Sequence, residues 1–151
     1  MDEADRKQLL AYARAVVQAK LNQRKPPAAP KLDPRSSRCS GAFVTLRNHG
    51  RLRGCIGQFA SEADVVQTVR EMAQAALEDP RFLSEPVTPG ELSEVDIAIS
   101  ILSPMRRTSD PLSLERGTHG ILVRRGGRSG CFLPQVAVEK GWNKAEFRSH
   151  C

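Results

Sequence analysis

Two glycine-containing turns constrain the fold of this chain more than any other feature of its 151 residues. Asn48-His49-Gly50 separates the strand-like residues 42–46 from a returning segment, residues 51–57. Gly126-Gly127 lies between two further short apolar segments. Turns of this kind join neighbouring antiparallel strands, because residues with positive φ match the twist of the paired strands. The sequence therefore predicts two β-hairpins.

Two helices and a further strand are predicted from hydrophobic periodicity. Apolar residues recur at helical spacing from Leu9 to Leu21, and a second helix is predicted over residues 62–78, with Ser61 as its N-cap. Residues 95–102 alternate in the manner of a strand. Locally paired strands with helices packed on them predict an α+β fold, an antiparallel sheet flanked by helices. A smaller subdomain, if present, is expected around the second helix and residues 86–90.

Charge and composition exclude several classes of protein. The net charge of +6 comes from short basic clusters, and aromatic residues make up only 5% of the chain. That is too few for the stacking surfaces of single-strand binders, so we do not expect nucleic acid as a partner. The basic clusters are either solvated arginines on hairpins, which is the favoured interpretation, or a face that binds a small anionic ligand. No apolar run is long enough to span a membrane, and the N-terminus is acidic. We expect a cytoplasmic protein without a membrane partner.

The cysteines predict neither a disulfide framework nor a metal centre. The chain has four of them, and none forms a Cys-x-x-Cys pair. We therefore expect free thiols and no metal. No phosphate-binding loop or dinucleotide-binding glycine motif is present either, so no cofactor is expected.

Cys55 is the strongest candidate for a functional residue. Gly54 and Gly57 flank it closely, which indicates a sharp turn or the close approach of another group. Arg51 and Arg53 precede it at alternate positions, so on a regular strand all three side chains would share a face. Guanidinium groups there would favour the thiolate and attract anions. The start of the second helix, a few residues after Gly57, would add partial positive charge.

Two alternatives remain open for the motif. In the first, the motif is a functional site. Cys55 is the catalytic candidate, with the glycine-flanked His119 as its general base. The candidates for ligand or partner binding are the other residues of the motif, Arg51, Arg53, Gly54, Ile56 and Gly57. Alternatively, the thiol of Cys55 fills a tight turn, and His119 is a hydrogen-bonded structural residue.

Residues 52–57, Leu-Arg-Gly-Cys-Ile-Gly, resemble the signature of the AMMECR-type domain family, whose bacterial branch is called AmmeMemoRadiSam system protein A. The resemblance implies an α+β fold and a single domain over residues 1–151. Family members usually continue past Cys151, which implies a C-terminal truncation. The further segments that carry the resemblance are residues 41–46, 79–82, 94–102, 117–121, 132–137 and 142–143.

The resemblance also suggests a function. Bacterial members are associated with a radical-SAM protein and a Memo-like protein, which implies a binding or accessory module that uses the motif between Leu52 and Gly57. The alternative is a Cys55-dependent enzyme acting on a small anionic substrate. A regulator that binds nucleic acid is the least favoured of the three.

Overall fold

The computed structural model describes residues 1–151 in two units, residues 1–105 and residues 106–151. The first unit contains a three-stranded antiparallel sheet in the order β2-β1-β3. This confirms the predicted α+β fold with an antiparallel sheet. Its elements are α1 (Glu3–Leu21), β1 (Gly41–Asn48), β2 (Arg51–Gln58), α2 (Val65–Ala76) and β3 (Val95–Leu102), with short 3₁₀ segments at Pro80–Phe82 and Pro89–Glu94.

The core of the first unit lies where α1 and α2 meet the sheet. Ala42, Val44 and Leu46 alternate along β1 and are fully buried. Val16 of α1 and Val69 of α2 are buried in the same cluster. Burial of each valine or leucine side chain stabilises the fold by about 1.5–3 kcal/mol. This alternation therefore fixes which face of β1 meets the helices.

Helix α2 is shorter than the sequence predicted at both ends. It begins at Val65 and ends at Ala76, and its N-cap is Asp64, whose Oδ1 accepts the Gln67 N–H at 2.8 Å. The predicted cap, Ser61, instead shares a hydrogen bond of 2.8 Å with the Thr68 hydroxyl. Serine and aspartate are both good capping residues, but the Ser61 hydroxyl is occupied by its contact with Thr68, and Asp64 caps the helix.

The second unit consists of a hairpin and two short helices, β4 (Ile121–Arg125), β5 (Arg128–Phe132), α3 (Pro134–Glu139) and α4 (Lys144–Ser149). Its own small core contains Ala137 and Phe147, and the ring of Phe132 contacts both Phe147 and Trp142. The sequence had favoured the region around α2 for a smaller subdomain, but the second unit lies entirely after residue 105. None of the helices combines the length and the apolar composition that crossing a bilayer requires.

Candidate functional site

Cys55 lies on the edge strand β2, opposite Thr45 of β1. Its N–H donates to Asp79 Oδ2 at 2.9 Å, and its carbonyl oxygen accepts from Arg81 Nη2 at 3.1 Å. Both main-chain groups of Cys55 thus point away from β1. Thr45 and Cys55 are therefore a non-hydrogen-bonded pair, the kind whose side chains lie closest. Accordingly, Thr45 Oγ1 and Cys55 Sγ lie 3.2 Å apart.

Asp79 and Arg81 form a two-sided clamp on the main chain of Cys55. Arg81 donates Nε to Asp79 Oδ1 at 3.0 Å and Nη2 to Oδ2 at 2.7 Å, a bidentate pair. The Asp79 side chain is only 1% exposed. The side-chain hydrogen bonds from Arg81 hold the pKa of Asp79 at about 2 against the effect of burial, and the Cys55 N–H adds to the lowering. Asp79 is therefore a carboxylate at neutral pH.

The Asp79–Arg81 clamp acts as a substitute for a neighbouring strand. An edge strand leaves N–H and C=O groups unpaired, and such edges invite other strands to add. Here the pair supplies the acceptor and the donor that a strand would have supplied to Cys55. The motif is thus fixed in place at Cys55 by side chains.

Solvent reaches the site from the side of Arg81. The Arg81 side chain is 59% exposed, and Cys55 is half-buried. The bonds to Asp79 chiefly raise the pKa of Arg81, and a smaller Coulombic contribution comes from Cys55. A thiol and a permanently charged guanidinium are therefore neighbours at a solvent-accessible position.

The two motif glycines are needed for close approach. A Cβ on Gly54 would lie 2.0 Å from the carbonyl oxygen of Ala76, and one on Gly57 would lie 2.2 Å from the ring of Phe43. Both glycines therefore allow the close approach of another group, and neither is required for a sharp turn. Ala76 is the last residue of α2, so the helix end beside the motif is the carboxyl end. The expectation that the amino end of α2 adds positive charge there is wrong, because the carboxyl end carries partial negative charge.

The expectation that Arg51 and Cys55 share a face is also wrong. Cys55 pairs with Thr45 and Arg51 pairs with Asn48, three positions apart on β1, so the two side chains lie on opposite faces. The cause is an irregularity in the register, at which Arg53 is the extra residue of β2.

Both motif arginines are engaged by acidic residues of the first unit. Arg53 is buried, is ion-paired with Glu91, and donates Nη2 to the Glu85 carbonyl at 3.0 Å. Arg51 is ion-paired with the Glu85 carboxylate at the surface. The guanidinium beside Cys55 is that of Arg81, which the sequence had not singled out.

The comparisons with known proteins decide the family. The model of the AMMECR1 family matches residues 10–151. The chain belongs to the AMMECR1 family. A protein of Methanopyrus kandleri is 44% identical over 120 residues, which cover 73% of this chain and 57% of that protein. A protein of Methanothermobacter thermautotrophicus is 43% identical over 114 residues, covering 71% and 58% respectively.

A solved structure supports the fold of this AMMECR1-family chain. The crystal structure of an uncharacterised protein from Pyrococcus horikoshii superposes with a TM-score of 0.86 at 30% identity. The match covers 97% of this chain and 77% of that one. The chain thus spans less than three fifths of the two archaeal relatives and about three quarters of the solved one.

The remaining candidates of the AMMECR1-family chain have structural contacts of their own. His119 lies in the second unit, where its Nδ1 accepts the Glu115 N–H at 3.0 Å. This engages one ring nitrogen, and the role of His119 as a base stays a prediction. Ile56 packs against the core of the first unit. None of the four cysteines forms a disulfide, and no three His, Cys, Asp or Glu side chains are gathered as metal ligands.

Proposed function

We propose that this AMMECR1-family chain is a binding module that works with a radical-SAM protein and a Memo-like protein, and that it presents the motif from Leu52 to Gly57 to them. The observation that carries the proposal is the clamp of Asp79 and Arg81 on Cys55. Such a module would work in the cytoplasm, where its cysteines stay reduced.

The placement of the clamp favours a role in positioning. Removing a carboxylate from water costs several kcal/mol, so a buried ion pair is weak evidence for a contribution to stability. Asp79 is buried, yet it bonds the main chain of Cys55 at the accessible edge of β2, outside the apolar cluster. We infer that the clamp holds the motif in one conformation for recognition.

The experiment measures binding of the purified chain to each partner protein of the same organism by titration calorimetry. Arg81→Gln removes the exposed guanidinium, and its matched control is Arg35→Gln, because Arg35 forms the same fork with Asp33 at an exposed position. We expect Arg81→Gln to weaken binding about tenfold, or by about 1.4 kcal/mol, and Arg35→Gln to leave it unchanged. Failure of the wild-type chain to bind either partner, or equal losses in both variants, would contradict the proposal.

A second candidate function is Cys55-dependent chemistry on a small anionic substrate. It is favoured by the half-buried thiol, whose Sγ lies 3.2 Å from Thr45 Oγ1, and by the neighbouring charge of Arg81. In this function Cys55 is the nucleophile and Arg81 attracts the anion.

The charge preference of Cys55 alkylation tests this second function. Iodoacetate is an anion and iodoacetamide is neutral, so the ratio of their rates isolates the attraction of anions from the reactivity of the thiol. Unit charges about 5 Å apart in water interact by about 0.8 kcal/mol, so Arg81→Gln should lower that ratio about fourfold. Arg35→Gln should not change it. An unchanged ratio in Arg81→Gln would exclude Arg81 as an anion-attracting residue.

A further inference from the structure

The net positive charge is concentrated in the second unit. Residues 1–105 contain 14 Lys or Arg and 13 Asp or Glu, a net charge of +1. Residues 106–151 contain nine and four, a net charge of +5. Five of the six net charges thus belong to less than a third of the chain, so any attraction of polyanions acts mainly through this unit.

Three arginines of this unit lie at the tip of the β4–β5 hairpin. Gly126 and Gly127 have φ values of 52° and 76°, the positive pair that a two-residue type I′ turn requires. Arg125 pairs directly with Arg128 across the turn, and Arg124 is the next residue along β4. Residues 124–129 alone line an open cleft of about 340 Å³ at the tip.

The pairing of Arg125 with Arg128 is unfavourable in the free protein. Side chains directly opposite each other have Cβ atoms about 4.5–5.5 Å apart, and like charges in such a pair destabilise the hairpin. All three arginines of the tip are exposed, and no acidic residue lies opposite or next to them in the hairpin. An anion lying between them would remove the repulsion, and the planar fork of arginine suits phosphate oxygens.

We propose that the tip of the β4–β5 hairpin binds the phosphate backbone of double-stranded DNA. The only aromatic residue of the hairpin is Phe132, which packs on Trp142 and Phe147 at its base. The tip therefore lacks the stacking surface that single strands require. The low aromatic content that counts against nucleic acid applies to single strands and not to duplexes.

The shape of the major groove favours a DNA duplex over an RNA duplex as the ligand. The major groove of B-form DNA admits a two-stranded β-ribbon such as this hairpin. The major groove of A-form RNA is too narrow and deep for side chains to enter.

Salt dependence gives the quantitative test. The full chain is titrated into a labelled DNA duplex of about 20 base pairs, about two helical turns, and binding is followed by fluorescence anisotropy. Three phosphate contacts give a slope of about −2.7 in log K against log salt. Affinity should fall about 40-fold between about 50 and about 200 mM salt.

Arg128→Glu is the informative variant, because it places a carboxylate opposite Arg125 and so stabilises the hairpin while it removes a phosphate contact. We expect the slope to become shallower, from about −2.7 to a magnitude of about 1.8 or smaller, and the low-salt affinity to drop more than about tenfold. Its control is the double variant Arg24→Gln/Lys25→Gln, an equal charge change at exposed positions of the first unit. The control should keep the wild-type slope.

Three results would overturn the proposal. They are no binding to the duplex at about 50 mM salt, equal losses in Arg128→Glu and the control, and tighter binding to single-stranded DNA or an RNA duplex of the same sequence. Thermal unfolding of Arg128→Glu at or above the wild-type temperature shows that a loss of binding is not a loss of fold.

Discussion

Replacing Asp79 by asparagine removes the charge of the clamp while it keeps the size of the side chain. The carboxylate accepts hydrogen bonds from the Cys55 N–H and from the N–H, Nε and Nη2 of Arg81. An asparagine offers one acceptor oxygen, and its NH₂ group would face donors. Asp79→Asn should therefore destabilise the fold and release the main chain of Cys55.

The size of the effect follows from the pKa of Asp79. Its fall from 3.8 to about 2 corresponds to about 2 kcal/mol of stabilisation of the charged carboxylate in the folded state. Because the folded-state pKa is depressed, this contribution is complete above about pH 4 and is lost as the pH falls through about 2. With the unpaired donors added, we expect Asp79→Asn to lower the free energy of unfolding by about 2–3 kcal/mol at pH 7.

The assay is urea unfolding of the wild type and the variant at a series of pH values, combined with hydrogen exchange of the Cys55 amide. The chain offers a matched control, because Asp33-Pro34-Arg35 repeats the tripeptide of the clamp and forms the same fork at an exposed position. Asp33→Asn should have a much smaller effect, since water screens that pair. Equal losses in the two variants, or a loss for Asp79→Asn that persists unchanged below pH 2, would refute the reasoning.

Two further predictions concern the packing of the motif strand. Gly54→Ala should destabilise the fold by about 3 kcal/mol or more, since the added Cβ meets the Ala76 carbonyl oxygen. Its control is Gly90→Ala, whose Cβ meets no atom within 4 Å and which should change the free energy of unfolding by less than about 0.5 kcal/mol. Urea unfolding of both variants checks this, and equal stabilities would contradict it. Arg53→Met should cost about 3 kcal/mol by leaving Glu91 unpaired, and adding Glu91→Gln should recover most of that loss in the same assay. No recovery would show that the ion pair is not the cause.

Local sequence patterns were sufficient to predict the strands and the first hairpin. The alternation of residues 95–102 and the turn at Asn48-His49-Gly50 are properties of a few consecutive residues, and the structure has a strand and a hairpin at these positions. The start of α2 was not determined locally, because Ser61 and Asp64 are both capping residues. A contact between Ser61 and Thr68 accompanies the choice of Asp64.

The candidate site could be predicted only in part. The motif drew attention to Cys55, but Asp79 and Arg81 are 24 and 26 positions away, and nothing in their own sequence places them beside Cys55. The tripeptide Asp-Pro-Arg occurs twice, both copies form a fork, and only the second contacts Cys55. What differs is tertiary placement. The irregularity at Arg53 likewise left no local signal, and it reversed the expected face of Arg51.

Protection of Cys55 by a partner tests the central claim most directly. A variant with Cys39, Cys131 and Cys151 replaced by serine leaves Cys55 as the only thiol, and its alkylation rate is measured with and without the Memo-like or radical-SAM protein. With a partner at about ten times its Kd, about one tenth of the chain stays free, so alkylation should slow about tenfold. A partner that binds the chain and leaves the rate unchanged would contradict the claim that the motif around Cys55 is the binding surface.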